Sequence, residues 1–170
     1  MKTKIAMLCL ILSSWGAYAQ HEHAAKKEDK KTDKTMVMFK DAKLGIAYEH
    51  YLHVKDALVA SNSSDAKKGA SELQKALKDI DASAAAMEAS SKIAASSDLN
   101  EQRKTFSTLS NEMTTLVKGE KLSTGMVYLE YCPMANGNMG AYWLSNEKQI
   151  KNPYFGDMML TCGSVKEIIH

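Results

Sequence analysis

Between Asp41 and Asn62 the apolar and long side chains Leu44, Tyr48, Tyr51, Lys55 and Leu58 recur at the spacing of a single helical face, with Gly45 the main breaker. A helix is predicted there, closed by Ser61-Asn62-Ser63-Ser64. A second helix starts near Ser64 or Asp65 and sets Ala66, Ala70, Leu73, Leu77, Ile80, Ala84 and Met87 in alternating steps of four and three, one continuous stripe. Because much of that stripe is alanine, the helix packed on it must approach closely. Next come a turn at 95–97 and Asp98-Leu99-Asn100-Glu101, which has the D-x-x-E form of a capping box. A third helix follows with Leu99, Gln102, Phe106, Leu109, Met113 and Leu116 on its apolar face, and Gly119 is expected to end it in the left-handed conformation.

After Gly125 the pattern changes. Val127-Tyr128-Leu129-Glu130-Tyr131 is rich in branched and aromatic residues and predicts a short extended segment that delivers Cys132 at its end. Glycine and proline then punctuate the chain at 137, 140, 153, 156 and 163, so the remainder reads as loops with a turn of helix from Ser145 and a closing helix over 164–169. Tyr128, Tyr131, Trp143, Tyr154 and Phe155 would anchor this segment to the helices. The expected fold is mainly α, an antiparallel helical bundle over 41–170 with a loop-rich C-terminal segment containing a short extended strand.

The first residues change the picture of where the protein works. Lys2 and Lys4, the apolar run Ile5 to Leu12 and the small-residue pattern Ala17-Tyr18-Ala19 form the three parts of an export signal, with cleavage expected after Ala19. The apolar run is much shorter than the roughly 20 residues of a membrane span, and Cys9 lies inside it rather than just after it, unlike a lipoprotein signal. A periplasmic, non-spanning product is expected. Residues 20–40 follow as a charged linker, typified by His21 to Thr35, which lacks aromatic and branched aliphatic side chains. Loss of Lys2 and Lys4 takes the formal charge from +2 to zero, which removes the electrostatic basis for nucleic acid binding. About 150 residues remain, the size of one domain.

With Cys9 discounted, the cysteines are Cys132 and Cys162, and the same segment holds Met134, Met139, Met158 and Met159, four of the nine methionines left once Met1 and Met7 are removed. Thiolate and thioether sulfur are soft donors that together favour Cu(I) over harder divalent ions. The competing reading is a disulfide between the two cysteines, closing a loop of about 30 residues and stabilising the fold by roughly 3.5 kcal/mol, with the methionines as core filler. The cysteine and histidine spacings match neither a zinc site nor a haem attachment motif. His21 and His23 could hold a divalent metal weakly. His50 and His53 lie three apart on the first helix and are expected to face solvent, with His53 able to complete a site only if the C-terminal segment covers it.

The stretch VYLEYCPMANGNMGAYWLSNEKQIKNPYFGDMMLTCG, with YLHVKDALVAS in the first helix and EQRKTFSTLS in the third, resembles the periplasmic domain of unknown function numbered three-three-four-seven, over about residues 40 to 168. The resemblance implies a helical bundle, found alone or joined to membrane-fusion adaptor subunits of copper and silver efflux systems, and a link to copper or another heavy metal. Its CPMA motif corresponds to Cys132 to Ala135, and its M-L-x-C-G motif to Met159, Leu160, Cys162 and Gly163. Where the family often carries histidine in a Q-R-x-x-F region, this chain has Gln102-Arg103-Lys104-Thr105-Phe106.

The functional expectation is a Cu(I)-binding module, for copper sequestration or delivery to efflux, with Cys132, Met134, Met159 and Cys162 as first ligands and Met139 and Met158 beside them. The alternative is a disulfide-stabilised envelope interaction domain without metal, docking on another envelope protein. Hydrolytic nucleophile motifs, catalytic carboxylate pairs and phosphate loops are all missing from the chain, and a thiol pair 30 positions apart is unlike a C-x-x-C redox centre, so no enzymatic activity is expected.

Overall fold

The structure, a computed structural model, describes residues 36–170, so the expected export signal and nearly all of the linker lie outside the described residues. Four helices come first: α1 (Ala42–Val59), α2 (Ser63–Lys78), α3 (Ala84–Ala95) and α4 (Leu99–Gly119). Each is started by a side chain that accepts from free amides of the first turn, Asp41, Asn62, Ser83 and Asp98 in turn. Short turns connect them, so each helix runs back along its predecessor, and α4 closes against α1. The buried alanines Ala66, Ala70, Ala76, Ala86 and Ala89 permit the close approach that the alanine stripe predicted.

The helix expected to run unbroken past Ile80 is in fact two. The apolar spacing continues across 79–83, but Asp81 takes a left-handed conformation (φ 48°) and the Ser83 hydroxyl accepts from the Ala86 amide at 3.1 Å, starting α3 afresh. Neither glycine nor proline marks the break, which is why periodicity ran through it. Gly119 is the last helical residue and has no positive φ; Glu120 leaves the helix in an extended conformation.

Strand β1 (Met38–Phe39), within the segment expected to be linker, pairs antiparallel with β2 (Leu122–Thr124) and buries Phe39. The C-terminal segment is more regular than expected. Strand β3 (Val127–Cys132) forms at the predicted place and is the centre of an antiparallel sheet ordered β4-β3-β5, with β4 at Ala141–Ser145 and β5 at Ser164–Ile169. The closing helix predicted over 164–169 is therefore a strand: six residues are too few for a stable lone helix, and Val165, Ile168 and Ile169 suit the ladder with β3. The turn of helix expected from Ser145 is likewise replaced. Ser145 ends β4, and its hydroxyl accepts from the Glu147 amide at 3.1 Å to turn the chain.

The sheet and the helices share one core. Tyr51 Oη accepts from the Leu144 amide at 3.0 Å and shares a hydrogen bond with Ser110 Oγ at 2.8 Å, while Tyr48 Oη donates to Asn146 Oδ1 at 2.7 Å. No helix among the described residues is long and apolar enough to cross a membrane.

Candidate metal centre

Cys132 ends β3 opposite Ala141 of β4 and is completely buried. On the other side β5 begins with Ser164 opposite Tyr131, which brings Cys162 to the end of β3. Both are free thiols, and the neighbouring Cys132, with partial desolvation, pushes the Cys162 thiol up to about 11. Soft metals bind thiolates, so a metal seated here must displace a firmly held proton.

The backbone around Cys162 is fixed from three directions. Asn152, fully buried, donates through its side-chain nitrogen to the Cys162 carbonyl at 2.8 Å and through its amide to the Leu160 carbonyl at 2.8 Å. The Cys162 amide donates to the Met159 carbonyl at 3.0 Å. Gly163 has φ 141°, and a Cβ there would stand 3.0 Å from the Tyr131 carbonyl and 2.8 Å from the Trp143 ring, so the Cys-Gly pair of the motif lets this strand close on β3.

The methionines are placed differently. Ala135–Asn138 form a tight turn in which Asn136 and Asn138 adopt left-handed conformations, and Met134 and Met139 flank it. Met159 follows a single 3-10 turn at Gly156–Met158. Met134, Met139 and Met159 all line one open cleft of about 570 Å³, whose wall includes Tyr154 and Phe155. Neither cysteine lines that cleft. Met158 is 76% exposed and lies outside it, so of the predicted sulfur ligands it alone joins neither group. Tyr154 lines the cleft, and burial raises its hydroxyl far above the usual range.

Among the described residues no histidine lines the methionine cleft. His53 makes an ion-pair contact with Asp65 Oδ2 at 3.1 Å on the α1/α2 surface, and His21 and His23 lie outside the described residues. Among the described residues no three His, Cys, Asp or Glu side chains converge.

The Q-R-x-x-F region of α4 has a structural part. Gln102 Nε2 donates to the carbonyls of Ser63, Ile93 and Ser96, and Phe106 is buried between Tyr51 and Tyr154. Arg103 donates from Nε to the Pro153 carbonyl at 3.0 Å and from Nη2 to the Leu58 carbonyl at 3.1 Å and to Ser61 Oγ at 2.9 Å. It ties the loop that carries Met159 to the end of α1.

A group that periodicity did not single out lies two residues before Cys132. Glu130 is fully buried opposite Trp143, and neither carboxyl oxygen has a hydrogen-bond partner. The nearby Trp143 indole N–H favours the charged form without making a well-aligned bond. Burial pushes this carboxyl up to about 8 against the pull of Lys55. The available signal was alternation: Tyr128, Glu130 and Cys132 share a strand face, and a charge between two buried residues must be buried with them.

A family model described as "Protein of unknown function (DUF3347)" matches residues 47–125, which span most of α1 and all of α2, α3 and α4, and stop short of Cys132. No curated protein and no solved structure matches the chain.

Proposed function

We propose, for a chain that belongs to the DUF3347 family of unknown function, that it is a periplasmic binding module for a soft metal ion, Cu(I) in the first place, and not an enzyme. One observation carries the reading: Cys132 and Cys162, 30 positions apart, come together as free thiols where β3 and β5 pair. Two thiolates supply a linear soft-donor pair, and the buried setting of Cys132 keeps water and oxidants from one side of it. Sequestration, or delivery to a copper or silver efflux adaptor, is the task such a module would serve.

The test is a Cu(I) titration of the reduced chain against a chromophoric chelator, with a Cys132→Ser, Cys162→Ser double variant beside it. One tight equivalent, lost in the double variant, is expected. The neighbouring thiols also suit the second reading, a disulfide-stabilised envelope interaction domain. No tight binding by the reduced chain, together with a quantitative Cys132–Cys162 disulfide in protein taken from the periplasm, would leave that reading in place of the first.

A further inference from the structure

The sulfur side chains of the C-terminal segment fall into two groups, the thiols and the methionines that line the cleft. We infer that Met134, Met139 and Met159 make a thiol-free binding site for a soft monovalent cation, Ag(I) or Cu(I), in the cleft they line together. This goes beyond the thiol reading and stands if that reading fails.

Three observations carry it. First, the thioethers are available: Met139 is 75% and Met134 46% exposed, whereas methionines that fill a core, such as Met113, are fully buried here. Second, they are held from both sides. The turn between Met134 and Met139 is fixed by the Asn138 amide on the Met134 carbonyl (3.4 Å), the Met139 amide on the Asn136 carbonyl (3.3 Å) and the Gly140 amide on the Ala135 carbonyl (3.0 Å). Across the cleft the Met159 amide donates to the Gly156 carbonyl at 3.2 Å, in a loop that Arg103 pins.

Third, the rest of the lining selects. It contains no carboxylate and no imidazole, and it includes the cations Arg103 and Lys104. Hard divalent ions need oxygen donors and suffer twice the repulsion of a monovalent ion from those two charges. Only a singly charged ion with a strong preference for sulfur gains from three neutral thioethers. Thioethers neither lose a proton on binding nor close a disulfide, so this site keeps working in acid and in oxidising conditions that disable the thiol pair.

The experiment is an Ag(I) titration at pH 5, where imidazole is largely protonated and competes little, followed by NMR of the chain labelled with 13C in the methionine methyl groups. Silver does not change oxidation state, so no thiol is oxidised during the measurement. In the Cys132→Ser, Cys162→Ser variant one equivalent should shift the methyl signals of Met134, Met139 and Met159 and leave those of Met113 and Met158 in place. A Met134→Leu, Met139→Leu, Met159→Leu variant should lose this equivalent and keep the tight one of the thiols; its substitutions are of exposed or half-buried residues, and its unchanged fold is checked by the Tyr and Trp resonances. If no methyl signal moves in the cysteine variant, or only those of Met158 or Met36 move, the site does not exist. If the methionine variant also loses the tight equivalent while the cysteine variant binds nothing, the two groups form one site and the inference is overturned. Retention of the thioether equivalent with no tight thiol equivalent in the wild type would sink the thiol reading and leave this one standing.

Discussion

At the scale of single residues the most consequential side chain near the thiols is Glu130. Its carboxyl is buried beside Trp143 with no hydrogen-bond partner, and burial raises it to about 8. A group whose folded value lies above its unfolded value of 4.5 binds its proton more tightly in the native state. Its contribution to stability is therefore complete below about pH 4.5 and is lost as pH rises through about 8. The loss is on the order of a few kcal/mol, because a tenfold change in proton affinity corresponds to about 1.4 kcal/mol. Glu130→Gln keeps the shape and removes the titration. Urea unfolding between pH 5 and 9 should show the wild type weakening across this window and the variant staying nearly flat, with the variant the more stable at pH 8. Parallel slopes for the two proteins would mean that Glu130 is not buried as an acid. Cys162 bears on the same region in the opposite sense for metal: with its thiol held up to about 11, metal affinity at the thiol pair should rise steeply with pH between 5 and 8. Chelator competition across that range measures it, and a pH-independent affinity would point to the thioethers instead.

At the scale of elements, the loop bearing Met159 and Cys162 is held to the bundle largely through Arg103. Replacing it by leucine removes donors to the Pro153 and Leu58 carbonyls and to Ser61. The expected cost is about 2–4 kcal/mol, since the bonds are charge-assisted and the buried Pro153 carbonyl loses its donor, while the Leu58 carbonyl keeps the Ser61 amide at 3.1 Å. Lys104→Leu, one position on and without such partners, should change stability by less than about 0.5 kcal/mol. The amides of Met159 and Cys162 should exchange faster in the arginine variant; unchanged exchange would show that Asn152 alone holds the loop. Gly156 belongs to the same clamp. It has φ 56°, and a Cβ there would lie 2.6 Å from Ser61 Oγ and 2.9 Å from the Val59 carbonyl, so alanine at this position should loosen the loop as well. These details explain what the sequence did and did not reveal. Helices α1 and α4 were legible because their caps and apolar faces agree, and β3 because alternation of branched and aromatic residues bounded by glycine is hard to read otherwise. The break at 79–83 was hidden because an aspartate and a serine, not a glycine or proline, make the turn. Strands β4 and β5 were missed because their pairing with β3 is set by tertiary contact, and Ser-Val-Lys-Glu-Ile-Ile carries no local signal strong enough to distinguish strand from helix. The meeting of Cys132 with Cys162 was anticipated by residue type, whereas the separation of the methionines into their own cleft depends on turn geometry that no spacing encodes.

At the scale of the molecule, the two cysteines lie at the end of the sheet and the family match lies mainly in the helices, so the question is whether the two parts act as one. The connections argue that they do. Tyr51 joins α1, α4 and β4 through Ser110 and the Leu144 amide, Tyr48 reaches Asn146, and Lys118 of α4 pairs with Glu167 of β5 at 2.6 Å. Phe106, Tyr154 and Trp143 continue the contact from α4 to the sheet, with ring centroids about 6 Å apart. Opening the sheet would expose these buried rings, so partial unfolding forfeits much of the common core. A metal bound across β3 and β5 should then stabilise α2 and α3 as well, although neither helix supplies a candidate ligand. At a free metal concentration one hundred times the dissociation constant the gain is about 2.7 kcal/mol, which corresponds to roughly 10 °C in Tm for a domain of this size. Thermal unfolding of the reduced chain with and without Ag(I) should show a single transition that moves upward as a whole, returning when a thiol chelator removes the metal. Amide exchange should slow in α2 and α3 by the same factor as in β3. Protection confined to the sheet, or a second transition left at the metal-free temperature, would mean that the helical part folds by itself and that the metal clips only the C-terminal strands.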